Sequence, residues 1–209
     1  MKESKIISIV LLAVVVIFTL FYLLTRDMKI PRNQSMPWQS FINNQGDTVV
    51  FNLTMGSSNL TDAMHLFGSE VEVSLFESEG KMPELEAFFF STKMGGIGAS
   101  VILSLMLDQK CIERLNNNIK KSMVMPSGVR KTTFSLTAEV LMFNLKIKSL
   151  TFIPKANLSK EVIVNLFGEP SRIELSIQGV SYWYYPTKGL RIIDDENKKI
   201  LEFYNKIIQ

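Results

Sequence analysis

Residues 157–168 read NLSKEVIVNLFG, and residues 59–68 read NLTDAMHLFG. Both begin Asn-Leu-hydroxyl and end Leu-Phe-Gly, and this likeness of the chain to itself decides the fold expected of it. Each stretch predicts a short helix. Thr61 and Ser159 are the candidate N-caps, with Asp62 and Glu161 in the first turn, where a carboxylate faces the positive end of the helix. Gly68 and Gly168 are expected just past the last helical residue, where a positive φ ends a helix without steric cost. Pro170 then blocks continuation.

The likeness runs on past the glycines. Val73 and Leu75 align with Ile173 and Leu175 at a constant offset. Residues 172–178, RIELSIQ, alternate polar and apolar, the mark of a strand with one buried face. Gly80 and Gly179 mark turns, and aromatic runs follow: Phe88, Phe89 and Phe90 in one copy, Tyr182, Trp183, Tyr184 and Tyr185 in the other. Asp108 to Ile112 parallels Glu196 to Ile200, and each reads as a hairpin turn and return strand. Residues 48–53 and 143–153 are expected as strands leading into the two helices. The expected fold class is therefore α+β: an N-terminal transmembrane helix followed by two tandem helix-plus-antiparallel-sheet repeats. The repeats occupy residues 47–117 and 146–209, joined by a connector over 118–145. One helix covers four strands poorly, so the two copies bury more apolar surface together. Within the connector, Met125-Pro126-Ser127-Gly128 reads as a turn between strand-like flanks, and Val140 to Phe143 is open between strand and helix.

Residues 6–24, IISIVLLAVVVIFTLFYLL, contain no charge, proline or glycine. As a helix rising about 1.5 Å per residue, the run spans about 28 Å, close to the thickness of a bilayer's hydrocarbon core. A cleaved signal peptide has a shorter apolar core and a small-residue cleavage site. Here the run ends Leu23-Leu24-Thr25-Arg26-Asp27, and no adjacent cysteine forms a lipobox. The expectation is a retained single-pass anchor in the inner (cytoplasmic) membrane, with the lipid bilayer as partner of residues 6–24. Residues 1–26 are then tail and anchor, and residues 27–46, with Pro31, Pro37 and several amides, a linker. Lys2 and Lys5 before the run, against Arg26, Lys29 and Arg32 after it, do not decide orientation by charge. An extracytoplasmic, periplasmic domain is expected because a short tail before a single span commonly stays inside.

The 209 residues carry a formal net charge of +3, with 46% hydrophobic and 21% charged residues. That excludes a disordered chain, and a mean hydropathy of +0.16 excludes a polytopic membrane protein. Lys2, Lys5 and Arg26 against Glu3 place two of the three net charges beside the apolar run. The rest is near neutral, so no basic patch argues for nucleic acid. Cys111 is the single cysteine and is expected as a small buried side chain.

With His65 the single histidine, the usual zinc sites are excluded, and neither a metal nor a cofactor is expected. Lys93 to Ser100, KMGGIGAS, lacks the Gly-Lys-Ser/Thr ending of a phosphate loop and reads as an inter-strand loop. Asp194-Asp195-Glu196 reads as a solvated hairpin tip. No catalytic signature occurs, and no catalytic residue is expected. The candidate binding residues are Tyr182, Trp183, Tyr184 and Tyr185. Alternation sends two rings to each face of a strand, one pair for the core and one available to a partner. Exposed Tyr and Trp suit protein recognition because they bury much area at low entropic cost.

Leu158, Leu166, Phe167, Gly168, Glu169 and Pro170, then Tyr182-Trp183-Tyr184, then Gly189-Leu190-Arg191-Ile192, follow one another over residues 150–204. This succession resembles the outer-membrane assembly lipoprotein family SmpA/OmlA (BamE-like) and the tandem-repeat β-lactamase inhibitor proteins. The likeness is faint over 50–115, and the lipobox of the lipoproteins is replaced by the apolar run. The resemblance implies an envelope protein that binds other proteins and is not an enzyme. The expected function is a membrane-anchored, extracytoplasmic protein-binding module. The alternative is an immunity or inhibitor protein against an envelope-targeting toxin or hydrolase, and a membrane-tethered hydrolase using carboxylates is a third reading.

Overall fold

The structure is a computed structural model that describes residues 14, 19, 35–177, 179–195 and 198–205. The chain divides into two units, Met1–Gln34 and Ser35–Gln209. The anchor expected over 6–24 lies outside the described residues except for Val14 and Thr19, both helical. No helix among the described residues is long and apolar enough to cross a membrane.

Strands dominate Ser35–Gln209. A small antiparallel sheet holds β1 (Phe41–Ile42), β2 (Thr48–Val50) and β3 (Leu53–Thr54). Helix α1 (Leu60–Phe67) follows, then β4 (Glu72–Glu77), β5 (Glu84–Met94) and β6 (Ile97–Leu105). Next come α2 (Gln109–Asn116), the hairpin β7 (Ile119–Val124) and β8 (Arg130–Phe134), and α3 (Leu136–Met142). Strand β9 (Ile147–Pro154) leads into α4 (Lys160–Phe167). The chain then runs through β10 (Arg172–Leu175), β11 (Ser181–Tyr185), β12 (Leu190–Asp195) and β13 (Lys198–Tyr204). Strands β4 to β13 form one ten-stranded sheet in the order β10-β11-β12-β13-β9-β6-β5-β4-β8-β7. Every neighbouring pair is antiparallel.

This architecture corrects the expected pair of tandem helix-plus-sheet repeats. The chain is mostly β, and the strands that follow the two expected helices join one ten-stranded sheet instead of forming one sheet per repeat. Three local causes account for the difference. Residues 109–116, expected to begin with a return strand, are helix α2, because the Asp108 side chain accepts a 2.6 Å hydrogen bond from the Cys111 N–H and caps its first turn. Without that strand, β6 is free to pair with β9, which also pairs with β13, so no boundary remains between the halves. The segment expected as a connector then adds β7 and β8 beyond β4.

Both expected helices form, with one change of cap. Ser159 caps α4 as expected, accepting from the Val162 N–H at 3.3 Å. Helix α1 is capped by Asn59 rather than Thr61: the Asn59 side chain accepts from the Asp62 N–H, and Asp62 accepts from the Asn59 N–H, both at 2.9 Å. The Thr61 hydroxyl instead donates to the Phe143 carbonyl at 3.1 Å. Gly68 and Gly168 end the helices at φ 109 and 83. The predicted strand 48–53 is broken by a tight turn at Phe51 and Asn52, whose φ values are 54 and 62. That turn drives Phe51 into the core against Phe67, Phe152 and Phe203, so aromatic burial offsets the strain of a left-handed, non-glycine residue.

Residues 35–46, expected as linker, are built into this unit. Pro37 and Ser40 are buried, Trp38 packs against the core, and the Trp38 carbonyl accepts from Lys188 Nζ at 3.0 Å. The small sheet is fastened to the end of β13 by Asn205. Its Oδ1 accepts from the Thr48 N–H at 2.7 Å, and its Nδ2 donates to Met55 O at 3.0 Å and to Asp47 Oδ1 at 2.9 Å. Close by, Gly189 lies in the left-handed region at φ 57, and a Cβ there would stand 1.9 Å from Thr48 Oγ1.

Asp194 was expected at a solvated tip, and this too is corrected. It sits at a buried position of β12, opposite Lys199 on β13, with Lys199 Nζ 2.5 Å from Asp194 Oδ1. Removing one member of a buried pair strands the other charge, which costs about 3–5 kcal/mol. Asp194→Ala is therefore expected to lower unfolding free energy by that order, measured by urea titration. The double variant Asp194→Leu/Lys199→Met is expected to lose less than the single one.

Candidate functional site

Pleating gives the large sheet two unlike faces. Helices lie on one, where Phe67 of α1 meets Phe89 of β5 at 5.5 Å between ring centroids and Phe167 of α4 meets Tyr185 of β11 at 6.0 Å. Leu85, Val101, Leu103, Leu150, Phe152, Ile192, Leu201 and Phe203 fill this side and are almost fully buried. The opposite face is open. Its apolar side chains, among them Phe76, Phe88, Phe90, Ile102, Tyr182, Tyr184 and Tyr204, are half-buried or exposed.

The candidate residues divide between these faces. Trp183 and Tyr185 are buried in the core, and Tyr182 and Tyr184 stand on the open face. Trp183 Nε1 donates to Ser181 Oγ at 3.2 Å. The Tyr185 hydroxyl is buried without a hydrogen-bond partner, and burial, then the nearby Glu169 carboxylate, push its pKa up to about 12. Both residues therefore support the strand rather than present it.

Tyr182 and Tyr184 belong to a polar aromatic patch. The Arg172 guanidinium lies 4.3 Å from the Tyr184 ring centroid, and the Tyr184 hydroxyl donates to Glu174 Oε2 at 2.8 Å. Arg191 lies 5.6 Å from the Tyr182 ring centroid and donates from Nε to Glu202 Oε2 at 2.8 Å. Next to them, Lys148, Ser149, Thr151, Arg191, Glu202 and Tyr204 line a shallow cavity of about 330 Å³. The tyrosine rings are thus held in place by cations and carboxylates, which lowers the entropy lost when a partner covers them.

A second patch lies across the sheet. A register shift between Phe89 and Thr92 inserts an extra residue into β5. Ahead of this break in phase, Phe88 and Phe90 meet edge to face on the open side at 4.2 Å, while Phe89 goes into the core. With Phe76 and Ile102 they wall a cavity of about 250 Å³, rimmed by Glu72, Glu86 and Lys131. Lys131 Nζ pairs with Glu72 Oε1 at 2.7 Å. Sequence reasoning noted the phenylalanine run but not this patch. Alternation sets Phe88 and Phe90 on one face, but only the register against β4 and β6 brings Phe76 and Ile102 beside them. Glu86 and Tyr204 were missed because nothing in their neighbourhood is unusual until the strands are aligned.

Elsewhere the chemistry is ordinary. Gly95 and Gly96, at φ 56 and 84, form the two-residue turn joining β5 to β6. His65 is exposed on α1. Cys111, expected to be buried in a strand, is half-buried in α2; burial and then Asp108 raise its pKa, so the thiolate is disfavoured. Among the described residues no cluster of His, Cys, Asp and Glu could hold a metal ion. Comparison with protein families, characterised proteins and solved structures gave no match, so the resemblance drawn above rests on the sequence pattern alone.

Burial, then the Glu84 carboxylate, raise the pKa of Glu86, with Lys131 opposing them. The folded chain therefore keeps this proton to a higher pH than the unfolded chain does. The resulting stability is present at low pH and is lost as pH rises from the ordinary carboxylate range through the raised pKa. Glu86→Gln is expected to equal the wild type in urea unfolding below about pH 4 and to be the more stable at neutral pH.

Proposed function

We propose that this chain is a non-enzymatic protein-binding module held at a membrane, which engages its partner through the open face of the ten-stranded sheet. The observation carrying the reading is that face itself. Among the described residues its apolar side chains remain half-buried or exposed, and it presents two aromatic patches whose rings are pre-positioned by ion pairs and edge-to-face contact. Rigid aromatic side chains at the centre of a patch are the usual source of binding energy in protein recognition. A sheet is a stiff platform for them, because each ring is fixed by neighbours on two strands. The apolar run 6–24 supports the membrane part of the reading. Tethering raises the effective concentration of the module for partners at the same surface, in the cell envelope.

The test is capture from crosslinked membranes with the full chain as bait. Tyr182→Ala/Tyr184→Ala and Phe88→Ala/Phe90→Ala are each expected to leave the thermal unfolding midpoint nearly unchanged and to reduce capture of the specific partner about tenfold or more. Trp183→Ala is expected to behave differently, losing about 3–5 kcal/mol of stability because it empties the core. Unchanged capture by both double variants, with the fold intact, would sink the proposal.

A further inference from the structure

The two edges of the large sheet are unlike. Edge strand β7 is blunted in the manner of edges that avoid pairing: it carries Lys120 and Lys121, and a register shift interrupts it between Ile119 and Lys121. Edge strand β10 lacks the register shift and the run of like charge, its two charged residues, Arg172 and Glu174, being of opposite sign. Ile173 and Leu175, on the same side of the strand as Trp183, are 55% and 75% exposed, and Ile177 just beyond is fully exposed.

The phase of the β10–β11 ladder shows what this edge offers. The Ser176 N–H donates to Val180 O at 2.8 Å, so the even-numbered residues of β10 exchange bonds with β11. The backbone N–H and C=O of Ile173 and Leu175 therefore point outward. On the open face of the same strand, Arg172 and Glu174 stand two residues apart with opposite charge.

We propose that two copies of this chain associate through their β10 edges, antiparallel, about a two-fold axis at Ile173. In this register Ile173 meets Ile173 of the second copy, and each Arg172 lies opposite the other copy's Glu174. Leu175 comes opposite Ser171 of the other copy and loses its exposed position. Moving the axis by one residue would set Glu174 against its own counterpart, and like charges directly opposite destabilise a strand pair. Charge thus selects the register, and the outward N–H and C=O of Ile173 supply its central pair of bonds, the Ser171 N–H being held within its own chain by Tyr184 O at 2.9 Å. The interface is isologous and closes at two copies. It shares Arg172 and Glu174 with the Tyr184 patch but leaves the rest of the open face uncovered, and the Ile173→Cys crosslink reads the interface without touching that patch.

The experiment is sedimentation equilibrium of the full chain in detergent micelles. The wild type is expected to populate a dimer. Arg172→Glu and Glu174→Arg alone are each expected to weaken it about tenfold, because two attractive pairs become repulsive. An equimolar mixture of the two variants is expected to dimerise again, as a one-to-one heterodimer, since only between unlike copies do opposite charges face each other. This recovery is one that contacts within a single chain cannot produce. In a Cys111→Ser background, Ile173→Cys is expected to crosslink on oxidation, its Cα atoms being about 5.5 Å apart across the axis. Leu175→Cys, displaced along the strand from its counterpart, is not. A monomeric wild type, charge variants that dimerise normally, or a mixture that stays monomeric would each overturn the proposal. So would open-ended growth with concentration, which would mean β10 pairing with the β7 edge of another copy.

Discussion

The structure depends on the double pairing of β9. This strand bonds to β13 along one edge and to β6 along the other, and so turns two separate meanders into one sheet. Its inward side chains, Ile147, Leu150, Phe152 and Pro154, are buried between neighbours from both halves of the chain. Phe152 in turn meets Phe51, which also touches Phe67 and Phe203. The small N-terminal sheet, the first helix and the last strand therefore share one aromatic cluster above β9. No part of this core can be separated without exposing large apolar surface.

Because α1 and α4 pack on one side, most of the fully buried apolar side chains among the described residues lie there. The other face is free of packing duties and can carry residues chosen for contact with something else. The buried Asp194–Lys199 pair and the Asn205 hydrogen bonds belong to the same division of labour: they satisfy polar groups inside, where an error is costly. The ion pairs of the open face lie at its surface, where they orient tyrosine rings more than they stabilise the fold.

Local features were legible in the sequence, and long-range ones were not. The glycines closing α1 and α4, the Ser159 cap and the Gly95-Gly96 turn follow from the conformational limits of single residues. The likeness of residues 59–68 to 157–168 correctly located two helices, but it was extended too far, to a return strand after Asp108 matching the one that does form as β13. Asp108 marks where it fails: an N-cap aspartate outweighs the alternation around it and makes a helix. The partner of β9 was out of reach because pairing on a second edge leaves no trace in the periodicity of a strand. The aromatic run at 182–185 was rightly divisible into two pairs, yet only register against β10 and β12 tells which pair is inside. Asp194 shows the same limit, since its burial depends on Lys199 directly across the hairpin.

The Asn205 latch has a consequence for the order in which this protein is made. Its bond to the Thr48 N–H joins residues 157 positions apart. During synthesis the β2–β3 segment precedes Phe203 and Asn205, so the burial that offsets the left-handed turn at Phe51 comes only with the last strand. The hairpin therefore waits, unanchored, until residues 203–205 have been released. Closure of this part of the fold is a late event, because it waits on a contact of very long sequence separation.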